Sequence, residues 1–156
     1  MRVHICAVGR ARKGPEAVLV DDYLTRFGRT GRGVGFVAGT LLEVEDRKGG
    51  GAAEEAARLE RAVPAEALCC ALDERGTTMT SPEFARLLER WRDGGYRDAA
   101  FLIGGADGLT AELRARAEFR LSFGPMVWPH MLARVMLAEQ LYRAAAILAG
   151  TPYHRE

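Results

Sequence analysis

Short apolar runs alternate with longer helix-forming stretches from one end of this chain to the other, and no other feature restricts the fold as much. Residues 2–8 read as a strand, with Val3, Ile5 and Ala7 on one face. A basic loop, 9–14, follows; Pro15 then opens a helix carrying Val18, Leu19, Tyr23 and Phe27 near helical spacing. Glycines at 28–35 are expected to break that helix. A second strand is expected over 36–44, weakened by Gly39, and a basic, glycine-rich turn over 47–51. Residues 52–63 form a helix stopped near Pro64, and 68–72 a buried strand. Ser81 is expected to cap a helix with Pro82 in its first turn; Phe84, Leu87, Leu88 and Trp91 form its inner face and Gly94-Gly95 ends it. A buried strand (99–103), a short helix capped by Thr110 and running to Glu118, a last strand (119–123) and a long helix (131–149) complete the pattern. Strands alternating with helices predict an α/β domain, its mainly parallel sheet covered by helices on both faces.

At 156 residues the chain is one domain long, and it buries enough surface to need no disulfide or metal staple. Twenty-two Lys and Arg against 21 Asp and Glu give a net charge of +1, which excludes a polybasic binder while leaving room for a local patch. Residues 1–33 hold such a patch: Arg2, Arg10, Arg12, Lys13, Arg26, Arg29 and Arg32 oppose only Glu16, Asp21 and Asp22. Arginine forks match phosphate oxygens, although a GC-rich genome explains the excess of Arg over Lys as well. Cys6, Cys69 and Cys70 offer neither an even count nor a CxxC spacing, which fits a reducing cytosol. Met1-Arg2-Val3-His4 begins no signal peptide, and no apolar run approaches the roughly 20 residues that span a bilayer.

Ligands of open α/β sheets bind at the carboxyl ends of strands. Three loops stand there: 72–76, 103–108 and 123–130, which points to one composite pocket in the C-terminal half. Gly104-Gly105 permits close backbone approach or positive φ, though a tight turn is its commoner meaning. The first strand lacks a GxGxxG. Pro15-Glu16 stands where a phosphate loop needs Lys-Ser/Thr, and no GxSxG elbow occurs, so dinucleotide, ATPase and triad-hydrolase readings fail. His4, His130 and His154 lack metal-ligand spacing, and His4, inside a strand, is read as structural. His130 opens the last helix, where the dipole favours neutral imidazole; a plain helix-start residue explains it equally well. That helix is apolar over more than one stripe, so it must pack on the sheet and has surface to offer a partner subunit; Arg134, Glu139 and Arg143 interrupt it. Glu139 and Arg143 read equally as a surface i,i+4 pair. A terminal Tyr153-His154-Arg155 suits base stacking, hydrogen bonding and a phosphate contact, whereas chain ends usually fray.

Several stretches together resemble one family. They are Leu102-Ile103-Gly104-Gly105-Ala106-Asp107-Gly108-Leu109, Pro129-His130-Met131-Leu132-Ala133-Arg134-Val135, Glu139-Gln140-Leu141-Tyr142-Arg143-Ala144 and the ending Pro152-Tyr153-His154-Arg155-Glu156. Ala7-Val8-Gly9, Ala71-Leu72-Asp73 and Leu88-Glu89-Arg90-Trp91 add weaker support. The chain is similar to the large-subunit methyltransferase H family, the 23S rRNA pseudouridine N3-methyltransferases of the SPOUT superfamily. The resemblance implies a single SPOUT-like domain over 1–156, with a C-terminal trefoil knot and the cofactor site in about 68–156. It implies a cytoplasmic homodimer away from membranes, S-adenosylmethionine as methyl donor without a metal, and a pseudouridine of 23S rRNA in the assembled ribosome as substrate. Cofactor contacts carry over to Leu72, Gly104 and Gly105, and to the knot loop Phe123, Gly124, Pro125, Met126, Val127, Trp128 and Pro129. Val127 stands where many relatives have Thr, Gly124-Pro125 alters the loop, and 28–39 is an unusual glycine-rich stretch. Under this reading Arg143 stabilises charge on the base carbonyls, Tyr153 positions the base, and His154, His130 or water takes the N3 proton. Arg10, Arg12, Lys13, Arg143, Tyr153 and Arg155 are expected to contact RNA. Two other readings are a non-catalytic nucleotide- or flavin-binding module and a SPOUT methyltransferase acting on tRNA.

Overall fold

The computed structural model describes residues 1–11, 14–45 and 51–155. Five strands are laid down as β1 (Arg2–Val8), β2 (Val37–Val44), β3 (Leu68–Thr77), β4 (Asp98–Ile103) and β5 (Phe119–Leu121). They form one sheet in the order β2-β1-β4-β3-β5, and every pairing is parallel. The helices are α1 (Pro15–Gly31), α2 (Gly51–Ala62), α3 (Ser81–Asp93), α4 (Ala111–Arg116) and α5 (His130–Leu148).

The helices cover both faces of the sheet, as the alternation requires. On one face, Val3, Ile5, Phe101 and Ile103 pack with Phe27 of α1, Phe84 and Leu88 of α3, and Leu137 and Leu141 of α5. On the other, Cys6, Val8, Ala100 and Leu102 meet Leu59 of α2 and Leu113 of α4. The central strand β4 is buried along its whole length, which explains its unbroken apolar run.

The glycines at 28–35 end α1 as expected, at Gly31 rather than at Gly28, and other local expectations change. A Cβ at Gly28 would lie 3.1 Å from the Ala38 Cβ, so this glycine lets the helix approach β2 closely. The chain leaves instead through a 3-10 turn at Arg32–Val34 and Gly35 at φ 79°. Thr80, not Ser81, caps α3: its hydroxyl accepts the Glu83 N–H while the Glu83 carboxylate accepts the Thr80 N–H. β3 continues past Leu72 to Thr77, and β5 stops at Leu121. Leu121 pairs with both Leu72 and Thr77, so the segment between them bulges out of the sheet.

The wide apolar surface of α5 is largely consumed within one chain. Ala138, Ala144 and Ala145 are fully buried with Leu137 and Leu141, because the helix lies against α1, α3 and the sheet together. His4 is structural as expected. Its Nδ1 accepts the Thr40 N–H at 3.1 Å, so its Nε2–H donates to Asp98 Oδ1 at 2.8 Å. Gly39 makes room: a Cβ there would lie 2.7 Å from that Nδ1. Among the described residues no helix is long and apolar enough to cross a membrane.

Candidate active site

The three strand-end loops do converge. A cavity of about 330 Å³ is lined by Leu72 to Arg75 after the paired part of β3, by Ile103 to Leu109 after β4, and by residues around 121–130 after β5. Leu72, Gly104, Gly105, Phe123, Gly124, Met126, Val127 and Trp128 line it, as the sequence led us to expect; Pro125 and Pro129 do not. His130 lines it too, at the first turn of α5.

Each loop is fixed by a contact the sequence did not announce. The buried Ser122 hydroxyl donates to the Glu74 carbonyl at 3.0 Å and accepts the Gly124 N–H at 3.0 Å, tying the loop after β5 to the bulge of β3. Arg114 of α4 holds Asp73 at 3.1 Å and donates to the Leu109 carbonyl at 3.0 Å, bracing two loops at once. Gly104 and Gly105 do not adopt positive φ. A Cβ at Gly104 would fall 2.3 Å from the Gly108 carbonyl carbon, so this glycine lets the loop close on itself. Met126 and Val127, on the rim of the cavity, are 68% and 83% exposed.

A second cluster gathers at the far end of α5. Glu139 Oε1 accepts from Arg143 Nε at 3.0 Å, from Arg143 Nη2, and from the Tyr153 hydroxyl at 2.9 Å. Arg143 Nη1 lies 3.4 Å from His154 Nδ1, and its guanidinium sits 4.8 Å from the centre of the Tyr153 ring. The Tyr153 hydroxyl is pushed above the ordinary phenol range, first by burial and then by its bond to Glu139. The tail is therefore docked, with Tyr153 and His154 half-buried and Arg155 exposed. Arg143, Tyr153 and His154 belong together; His130 belongs to the cavity wall. A neighbouring cavity of about 510 Å³ shares Leu121, Phe123 and Gly124 with the first and reaches Glu139, so the two clusters adjoin.

Arg10 is exposed and pairs with Glu45 at 3.2 Å, while Arg12 and Lys13 lie outside the described residues. Arg134 is fully buried, which no local pattern predicts. It donates to the Val8 carbonyl, to the Gly9 carbonyl at 2.7 Å and to Glu43 at 2.8 Å, and the same Glu43 oxygen accepts the Ala11 N–H at 2.7 Å. Burial lowers the pKa of this guanidinium, and the Glu43 carboxylate opposes the shift. Among the described residues, no group of three or more His, Cys, Asp or Glu is placed to hold a metal.

The family model described as "Predicted SPOUT methyltransferase" matches residues 1–154. The chain belongs to the SPOUT methyltransferase family. A protein of Dinoroseobacter shibae named ribosomal RNA large subunit methyltransferase H is 70% identical over 99% of both chains. One of the same name from Cereibacter sphaeroides is 66% identical over the same shares. The solved structure of a probable methyltransferase from Bordetella pertussis Tohama I shares the fold at a TM-score of 0.56, with 19% identity over 92% of this chain and 96% of that one. As a SPOUT methyltransferase the protein has its strand-end cavity where such a fold places a ligand.

Proposed function

We propose that the protein methylates N3 of a pseudouridine in 23S rRNA of the assembled ribosome, with S-adenosylmethionine as donor. The observation that carries this is the convergence of three strand-end loops on one cavity, beside a tail cluster of Arg143, Tyr153 and His154. The names of the relatives at 70% and 66% identity support the rRNA substrate. S-adenosylmethionine bound in the cavity supplies an activated methyl group, and the chain's task is orientation.

The cavity fits such a donor. Gly104 closes the loop after β4, Ser122 and Arg114 hold the walls, and Met126, Val127 and Trp128 complete the lining. Arg143, its charge secured by Glu139, stabilises negative charge growing on the base carbonyls. Tyr153 keeps its proton and positions the base by ring and hydroxyl. The proton leaving N3 passes to His154 or to water, since His130 lines the other cavity.

Arg10 and Arg155 are exposed cations for rRNA phosphates. A cytoplasmic homodimer is part of this reading. Val18 and Leu19 of α1 and Leu132 of α5 are 68%, 43% and 42% exposed and offer apolar surface to a second copy. A trefoil knot also belongs to the reading; the bulge of β3 between Leu72 and Thr77, which both pair with Leu121, is compatible with it.

The test is methyl transfer from labelled donor to intact ribosomes, isolated subunits, naked rRNA and tRNA, all lacking the native modification. Label confined to ribosome-borne 23S rRNA, at N3 of a pseudouridine, is expected. Label in bulk tRNA, or no label together with no donor binding, would overturn the reading.

A further inference from the structure

Two arginines flank a pair of tyrosine rings in a row that runs from α1 to the C-terminal tail. The Arg26 guanidinium lies 6.0 Å from the centre of the Tyr142 ring. Tyr142 lies 4.4 Å from Tyr153, and the Arg143 guanidinium lies 4.8 Å from the Tyr153 ring. Tyr23 flanks the row, 6.4 Å from Tyr142.

We propose that this row is the track along which rRNA reaches the Arg143–Tyr153–His154 cluster, with Arg26 as a phosphate contact; the proposal rests on the rRNA reading above. Half of the Arg26 side chain is exposed, and its planar fork suits phosphate oxygens. The half-buried Tyr23, Tyr142 and Tyr153 stand beside it, and aromatic rings flanked by arginines are the chemistry of single-strand binding. Arg29 of the same helix and Arg32 of the turn after it, both exposed, extend the charge. In the free protein Arg26 is paired with Asp22 at 2.9 Å. Both partners of that pair are about half exposed, so its net worth is small and a phosphate can displace Asp22 at little cost.

The position also sets this face apart from the exposed apolar residues of α1. The exposed Val18 and Leu19 belong to the opening turns of α1. Arg26 stands two turns later, roughly 10 Å further along the axis at the helical rise, where α1 faces Tyr142.

The deciding experiment measures methyl transfer to ribosomes across a salt series for the wild type, Arg26→Gln and Arg26→Lys. Arg26→Gln is expected to raise the KM for ribosomes about tenfold near 0.1 M salt and to reduce the log–log salt slope by about one. Its Kd for S-adenosylmethionine should match the wild type, and Arg26→Lys should recover most of the loss. An unchanged KM and slope would overturn the proposal, as would an equal loss of donor affinity. A wild-type dimer that Arg26→Gln dissociates in sedimentation would assign the face to a second copy of the chain and overturn it too. If the wild type labels no 23S rRNA, the functional reading fails and this proposal with it; if the wild type is active and Arg26→Gln is indifferent, only this proposal fails.

Discussion

The Tyr153 hydroxyl donates to Glu139 Oε1 at 2.9 Å, and that same oxygen receives Arg143 Nε at 3.0 Å. One carboxylate therefore docks the C-terminal tail and orients a guanidinium. An i,i+4 pair on a surface helix is usually worth a few tenths of a kcal/mol. Here the third partner and half-burial make the pair a positioning element. Glu139→Ala should lower kcat/KM by about tenfold while donor affinity, measured by calorimetry, stays at the wild-type value. Arg143→Ala should cut turnover far more than donor affinity. Equal losses in both quantities would show that the cluster serves the cavity rather than the RNA base.

Gly104 and Gly105 should respond differently to the same substitution. A Cβ at Gly104 would meet backbone at 2.3 Å, which no rotamer change relieves. At Gly105 the nearest atoms are a Glu55 carboxylate oxygen and a Val8 methyl, both at 3.1 Å, and side chains can give way. Gly104→Ala should abolish donor binding, and Gly105→Ala should weaken it by roughly fivefold or less, about 1 kcal/mol. Binding titrations of the two variants decide this, and similar affinities would contradict the loop-closure account.

Acid stability should depend on Asp98. Its bond from Arg2 holds the carboxyl below the ordinary range, and the His4 bond adds to this against the opposing effect of burial. A carboxylate lowered in the fold stabilises fully above its unfolded pKa of about 3.9, and the benefit is lost as pH falls through the folded value. Asp98→Asn should therefore lower Tm by several degrees near neutrality. The gap between the two Tm values should begin to close near pH 4 and vanish once pH falls below the folded pKa. A gap that stays constant down to pH 2 would rule out this carboxylate as the titrating group.

Removing Arg134 should destabilise the protein by about 3 kcal/mol, since the change strands the Val8 and Gly9 carbonyls and leaves Glu43 without its cation. Urea unfolding of Arg134→Met measures this. Arg134→Lys should restore only part of the loss, because one ammonium cannot reproduce a fork that holds three oxygens. Wild-type stability in Arg134→Met would show that those carbonyls find other donors.

The sequence by itself determined the alternation of strands and helices, the two-sided sheet and the three loops that line the cavity, because burial periodicity and turn chemistry are local properties. Gly28 and Gly104 escaped a local reading, since each is needed for an approach of chain segments that only packing creates. Arg134 escaped it for the same reason: an arginine on a helix is ordinarily solvated, and only the docking of α5 over the end of β1 surrounds this one with three oxygens. The tertiary structure alone also sorted the histidines. His130 and His154 both adjoin α5, yet that helix is 19 residues long, so it sends one to the cavity wall and lets the returning tail bring the other to Arg143.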